Sequence, residues 1–253
     1  MEDKPDFCAL SYVWGDPGLT VDIQILLGPD QDPTSKVTTI PVTANLAAAL
    51  QHAKRRCARL WSALGHEPDQ FLLWADAICI NQQDIVERAS QVQRIGDLYK
   101  SAVVVLAWLG RDDNGEVSLA FDAIIKTAFE AQRCAEVGRD VFNTLEWMQR
   151  YPELIDGVGA MGNNRAWKAV ADFLLHPYWS RVWIFQELVL TCRLLLATSR
   201  SVMGWDQLGI MVFQLLVLRH ALNETSMVKP AWVSTTCGRG SRRPISRSML
   251  SRT

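Results

Sequence analysis

The chain has 253 residues, of which 49% are hydrophobic and 21% are charged, values typical of a globular protein with a substantial core. Its formal net charge of -1 gives no electrostatic reason to expect binding to nucleic acid or to an anionic membrane. No apolar run approaches the roughly 20 residues of a membrane-spanning helix, and the polar N-terminus is unlike a signal peptide, so we expect a cytoplasmic protein without a membrane span.

The first part of the chain predicts three strands and a helix. Cys8–Trp14 is an apolar run typical of a buried strand, and Val21–Leu27 alternates apolar and polar residues. Val37–Val42 is predicted to be its hairpin partner. Thr43 or Asn45 can cap the helix that follows, in which apolar residues recur at helical spacing.

The middle part predicts a strand–helix–strand unit. Phe71–Ile80 is apolar almost throughout, as expected for a central strand that is covered on both faces. Asp84 and Glu87 have capping-box spacing at the start of a helix that reaches Ser101, and Val103–Leu109 is the next strand. Because such units cross over right-handed and have parallel strands, the sequence predicts an α/β fold with a mainly parallel sheet flanked by helices.

The rest of the chain is predicted to be mostly helical. A helical insertion runs from Gly115 to about Met161, with a break at Pro152. The elements predicted after it are a helix from Asn163 or Asn164 through Phe173, a short strand at Arg193–Ala197 and a helix at Trp205–His220. Beyond Thr225 the composition shifts to Ser, Thr, Gly and Arg without apolar periodicity, so we expect residues 226–253 to be a disordered tail.

Three apolar blocks end in polar residues, and together they form the candidate site. They are Ala9–Gly15, Leu73–Gln82 and Arg181–Leu188. An open α/β sheet binds ligands in a crevice at the carboxyl ends of its strands. Since the blocks supply a serine, an aspartate, two amides, a glutamate and several tryptophans, we expect them to converge.

Glu187 is the strongest candidate for a functional carboxylate. It follows Trp183 and Phe185 in a segment apolar enough to be largely buried, and a buried carboxylate is costly unless it is paired. One interpretation is a functional acid; the other is a structural salt bridge to Arg181 or to another arginine. The sequence alone leaves both open.

Asp76 lies inside the predicted central strand, where aspartate is disfavoured. It is interpreted as a site carboxylate, as a carboxylate that orients Asn81, Gln82 and polar groups of a neighbouring strand, or as an internal hydrogen-bond anchor. The functional interpretations and the structural one have equal support in the sequence.

Ser11, Tyr12 and Trp14 end the first strand, before a turn at Gly15–Gly18 that lets a ligand approach the backbone. Trp14 is interpreted either as a platform for a ligand ring or as a core tryptophan with its N–H satisfied.

Three other motifs are rejected. Cys79 has no histidine in a motif that would activate its thiol, so we interpret it as packing. Gly157–Gly162 matches a dinucleotide fingerprint by letter but lacks the strand that should precede it. The six cysteines contain no CxxC pair, so we expect no metal site.

The three blocks resemble the heterokaryon incompatibility (HET) domain of filamentous fungi. The segments that carry the resemblance, in the family's order, are Ala9–Gly15, Val42–Leu46, Trp74–Val92, Tyr99–Gly110 and Ser180–Glu187. The chain departs from the family pattern near residues 197–205, where a Cys-Gly ending is usual. The resemblance implies a HET domain at residues 7–225, followed by the tail.

The resemblance also implies a function and a fold. Resemblance to HET proteins implies that this protein triggers programmed cell death in fungal allorecognition and innate immunity. The trigger acts when genetically different cells fuse. The domain is also similar to TIR domains, which have a flavodoxin-like sheet and in several branches cleave NAD. The local likeness is Ser180–Leu188, with Ile184 replacing a cysteine.

Glu187 matches the glutamate that is essential in NAD-cleaving TIR domains, so the resemblance assigns it as the catalytic acid of an NAD glycohydrolase. The residues expected to hold the substrate are Ser11, Tyr12, Trp14, Gly15, Asp76, Asn81 and Trp183. NAD is a substrate in this hypothesis, and no cofactor or metal is expected.

The alternative is a non-catalytic, TIR-like module that self-associates through its helices and passes on a death signal. The partners expected under either hypothesis are further copies of the chain and a protein trigger that the sequence does not identify. NAD cleavage depends on likeness of fold and of one short segment, so both hypotheses stay open.

Overall fold

The computed structural model describes residues 5–27, 36–67, 70–136, 144–154 and 164–222. The chain divides into two compact units, Met1–Arg111 with Ser180–Thr191 and Asp112–Trp179 with Cys192–Thr253. The predicted tail at 226–253 and the glycine motif at 157–162 lie outside the described residues.

The first unit contains strands and helices in alternation. In chain order its elements are β1 (Cys8–Tyr12), β2 (Thr20–Leu27), β3 (Lys36–Thr43), α1 (Ala44–Ala63), β4 (Leu73–Trp74), α2 (Asp76–Cys79), α3 (Ile85–Ser101), β5 (Val104–Trp108) and α7 (Ile184–Val189). The three helices between β5 and α7 in the sequence belong to the second unit.

A parallel sheet is the centre of the first unit. β1 lies between β4 and β5 and runs parallel to both, with Cys8 opposite Leu73 on one side and Val104 on the other. Every residue of β1 and β5 is buried, which explains why β5 is apolar throughout and why Ser11 is the one small polar residue of β1. The predicted α/β fold with a mainly parallel sheet is confirmed.

The hairpin and the first two long helices begin as predicted. β2 and β3 are antiparallel, and Thr20 lies opposite Thr43. Of the two capping residues considered, Thr43 caps α1 by accepting a hydrogen bond from the amide of Leu46. Asp84 caps α3 in the same way, accepting from the amides of Val86 and Glu87.

The predicted strand at Phe71–Ile80 is wrong in its second half. Only Leu73–Trp74 is extended, and Asp76–Cys79 forms one helical turn. Asp76 accepts a hydrogen bond from the amide of Ala77, because a carboxylate is favoured where a helix begins and disfavoured inside a strand. The block at Arg181–Leu188 likewise ends in a helix, α7, rather than in a strand.

The second unit combines helices with a small hairpin. Its elements are α4 (Glu116–Glu136), α5 (Thr144–Arg150), α6 (Arg165–Leu174), β6 (Leu194–Ala197), β7 (Val202–Gly204) and α8 (Trp205–Leu222). α4 packs on α6 and α8, and Phe121 meets Phe173 edge to face. Of the two residues predicted to begin α6, Asn163 and Asn164, it is Asn164 that caps the helix. None of the helices in the described segments is long and apolar enough to cross a bilayer.

Candidate functional site

Glu187 lies in a closed cluster with Ser11 and Arg181. The Ser11 hydroxyl donates to Oε2 of Glu187 at 2.5 Å. Arg181 donates from Nη1 to Oε2 at 2.7 Å and from Nη2 to Oε1 at 2.9 Å, which makes the ion pair bidentate. Nη1 also donates to the hydroxyl of Ser11 at 2.9 Å. We call these three residues the Ser11–Arg181–Glu187 clamp.

The clamp joins the sheet to α7. Ser11 is the fourth residue of β1, while Arg181 precedes α7 and Glu187 lies on it. Glu187 is only 4% exposed, so its charge depends on Arg181 for compensation. The structure therefore contains the salt bridge to Arg181 that the sequence left open, and the catalytic role of Glu187 stays a prediction.

The carboxylate of Glu187 has little free hydrogen-bonding capacity. A carboxylate accepts about four hydrogen bonds, and Glu187 already accepts one from Ser11 and two from Arg181. About one acceptor position is left, so a ligand that makes more than one hydrogen bond to Glu187 must displace Arg181 or Ser11. The clamp thus holds the acid in a closed arrangement.

Trp14 and Asp76 form a second pair at the same end of β1. The indole Nε1 of Trp14 donates to Oδ2 of Asp76 at 2.9 Å, while Oδ1 accepts from the amide of Ala77. Trp14 is 48% exposed, so it is not a core tryptophan and its ring is open to solvent. Its fixed orientation suits a surface on which a planar group can stack.

The charges of Asp76 and Arg181 both act on the hydroxyl of Tyr12. Its hydroxyl is buried and has no well-formed hydrogen bond within the described segments. Burial raises the pKa of the Tyr12 hydroxyl well above its usual range, the charge of Asp76 raises it further, and Arg181 opposes that rise. Tyr12 therefore stays neutral beside the carboxylate of Asp76.

Asn81 and Trp183 do not join these contacts. Asn81 shapes the turn before α3. Its backbone N–H donates to the carboxylate of Glu87, and its side-chain oxygen accepts from the backbone N–H of Gln83. Trp183 precedes α7 and is 45% exposed. Their assignment as substrate-binding residues stays a prediction.

Gly15 lies elsewhere, on a cavity of about 440 Å³ that the sequence did not predict. Glu187, Trp14 and Asp76 are not among the residues that line it. Arg111 does line it, and sequence reasoning missed this residue because no motif singled it out. The available signal was a glycine after each strand, Gly15 after β1 and Gly110 after β5, both with positive φ.

Neither metal nor thiol chemistry is indicated at the site. No group of three or more His, Cys, Asp or Glu side chains is arranged to hold a metal ion in the described part of the chain. The pKa of the Cys79 thiol is raised, chiefly by desolvation, which is the opposite of an activated nucleophile.

Comparison with known protein families shows the family to which this chain belongs. A family model described as heterokaryon incompatibility protein (HET) matches residues 7–187. The chain belongs to the HET family. All the predicted site residues of this HET domain lie within the matched segment, and so does Arg181 of the clamp.

A curated relative carries the same name. Over 115 residues the HET chain is 34% identical to heterokaryon incompatibility protein 6, OR allele, of Neurospora crassa. This alignment covers 45% of the chain and 16% of that relative, so the chain corresponds to a small part of a much longer protein. No solved structure matches the HET chain.

Proposed function

We propose that this HET domain acts in fungal heterokaryon incompatibility, as a trigger of programmed cell death when genetically different cells fuse. Two findings support the proposal: the family match over residues 7–187 and the likeness to a Neurospora crassa protein named for heterokaryon incompatibility. Because the chain covers only a small part of that relative, the trigger and the partners of the whole protein belong to the proposal.

The chemistry we propose is cleavage of NAD at Glu187. The bond between ribose C1′ and the nicotinamide nitrogen breaks, and its electron pair leaves with neutral nicotinamide. Water adds to C1′ and loses a proton, so the products are nicotinamide, ADP-ribose and H⁺. The transition state resembles an oxocarbenium ion, which a nearby carboxylate stabilises electrostatically.

The observation that carries this proposal is the clamp at the carboxyl end of β1. The bidentate contact to Arg181 keeps Glu187 in a fixed orientation beside Ser11. The same contact neutralises the carboxylate, because a guanidinium at hydrogen-bond distance competes with any developing positive charge on ribose. In this proposal Arg181 lowers the basal rate of cleavage without abolishing it, and release of Arg181 raises that rate.

The test is NAD turnover by the purified protein. Nicotinamide release is followed for wild type, Glu187→Gln and the control Glu67→Gln, which changes an exposed glutamate of the same unit. We expect Glu187→Gln to lose turnover by at least about a hundredfold, since electrostatic stabilisers contribute that much, and Glu67→Gln to keep it. Equal NAD turnover in Glu187→Gln and wild type, or none in either while both retain cell killing, would refute NAD cleavage.

A non-catalytic assembly module is the second candidate, favoured by a specific observation. Large apolar side chains at the start of α3, on α7 and just before it are exposed: Ile85 by 72%, Val86 by 80%, Val182 by 86%, Phe185 by 69% and Val189 by 57%. Exposed apolar side chains of this size are frequent at association sites. Under this proposal the chain self-associates through α3 and α7, and the clamp is a structural brace.

Self-association has its own test. Phe185→Ser removes an exposed ring without touching the core, so the fold should survive. The assembly proposal predicts that wild type forms oligomers in analytical ultracentrifugation and that Phe185→Ser shifts them to monomer and abolishes cell killing. A monomeric wild type that still kills cells would contradict it.

A further inference from the structure

The strand order of the first unit creates a topological switch point. From β1 the chain crosses to β4 on one side, and from β4 it crosses back past β1 to β5 on the other. Since both crossovers are expected to be right-handed, α1 and α3 lie on opposite faces of the sheet. Open α/β sheets bind ligands where this reversal occurs, outside the carboxyl ends of the two strands. Here that place is between β1 and β5.

The cavity of about 440 Å³ lies at this switch point. Gly15 and Asp16 follow β1, Arg111 follows β5 by three residues, and Ala44 begins α1. We call it the switch-point cavity. Its volume lies within the range of small-molecule sites.

The walls of the switch-point cavity are apolar and its rim is polar. Leu19 and Val21 form one wall, and the alanines of α1, among them Ala48, form another. Leu19 is 64% exposed and Val21 is 47% exposed, so both leave apolar surface open to solvent. The small alanine side chains of α1 leave room for a flat ring, and we call this apolar part of the cavity the slot.

Arg111 gives the cavity a charge preference. It is exposed and makes no ion pair with any residue in the described ranges. A guanidinium binds a phosphate through two parallel hydrogen bonds. Asp16 and Gln51 on the same rim can accept hydrogen bonds from hydroxyl groups.

The rim of the cavity is preorganised. Asn45 donates to the carbonyl of Val13 at 2.6 Å and accepts from the indole of Trp108 at 3.0 Å, which ties the ends of β1 and β5 to α1. Gly15 has φ +81, and a Cβ there would lie 3.3 Å from Cβ of Asn45. A side chain at position 15 would therefore be strained by the backbone conformation and would crowd Asn45.

We propose that the switch-point cavity binds a nucleoside monophosphate. The ring enters the slot between Leu19 and the alanine face of α1, the sugar hydroxyls face Asp16 and Gln51, and the phosphate binds Arg111. This inference is independent of NAD cleavage, because the cavity is not lined by Glu187 and binding requires no turnover.

Calorimetric titration with AMP, adenosine and inorganic phosphate tests the proposal. AMP should bind wild type at least about tenfold more tightly than either adenosine or phosphate, since each supplies only part of the contacts. Arg111→Gln should weaken AMP by about tenfold or more and leave adenosine unchanged. The control Lys54→Gln, an exposed cation on α1 that does not line the cavity, should bind all three like wild type.

The slot has a separate test. Ala48→Leu places a larger side chain in the cavity and should abolish binding of both AMP and adenosine, with circular dichroism as the check on folding. Where Ala48→Leu fails to fold, Leu19→Ser removes a wall at an exposed position and should weaken both ligands. Failure of AMP to bind wild type, wild-type affinity in Arg111→Gln, or phosphate binding as tightly as AMP would overturn the proposal.

Discussion

At the scale of single residues, the clamp contains a buried charge, and burying a charge costs free energy unless it is paired. Glu187 is buried with one compensating charge, that of Arg181, and one hydroxyl, that of Ser11. Breaking a buried ion pair by removing one partner is far more costly than replacing both, because the remaining charge has no compensation. The clamp either stabilises the fold or holds the catalytic carboxylate in position. Its contribution to the free energy of unfolding can be measured separately from NAD cleavage.

Arg181→Ala should destabilise the protein strongly. We expect a loss of about 3–5 kcal/mol in the free energy of unfolding, as for other broken buried pairs, whereas Ser11→Ala should cost about 1–3 kcal/mol, for one lost hydrogen bond to a charged group. Urea denaturation measures both. The double variant Arg181→Met with Glu187→Met should be less destabilised than Arg181→Ala; a larger loss in the double variant would contradict this account of the charge.

His176 should make stability fall in mild acid. Burial lowers the pKa of His176 below its usual 6.5, and its Nδ1 accepts a hydrogen bond from the amide of Tyr178, which requires that nitrogen to be unprotonated. Since the unfolded chain binds the proton more readily, stability is complete above about pH 6.5 and declines as the pH falls below it. His176→Asn should flatten this decline between pH 7 and 5 in thermal unfolding; an unchanged slope would exclude His176 as its source.

At the scale of elements, the helix caps were predictable and the short elements were not. The sequence predicts Asp84 outright and gives Thr43 and Asn164 each as one of two alternatives, because a side-chain acceptor precedes an apolar periodicity in each case. Phe71–Ile80 was misjudged because a short apolar run has no period long enough to separate strand from helix. Asp76 carried the missing signal, since a carboxylate inside a central strand favours the start of a helical turn.

The cap of α3 gives a prediction at this scale. Asp84→Ala should cost about 1 kcal/mol of stability, because two amides lose the carboxylate oxygen they bond at 2.9 and 3.0 Å. Asp97→Ala, an exposed change in the same helix, is the matched control and should stay within about 0.5 kcal/mol of wild type. Chemical denaturation of the two variants decides; equal stability would show that Asp84 does not cap α3 in solution.

At the scale of the whole molecule, sequence periodicity predicted the sheet and its parallel strands, while the site required coordinates. Glu187 and Arg181 are six residues apart, and no pattern in the sequence tells whether they pair or point apart. The switch-point cavity brings Gly15, Ala44 and Arg111 together from three distant segments, which only the strand order determines. Composition alone argues against nucleic acid and anionic membranes as partners, since a net charge of -1 gives no general attraction to polyanions.

The most direct test of the central claim is the NAD content of fungal cells that express the wild-type protein or Glu187→Gln at equal protein levels. The account predicts that NAD falls before death in cells with wild type, and that cells with Glu187→Gln keep their NAD and survive. Death of both strains with NAD undiminished would contradict it.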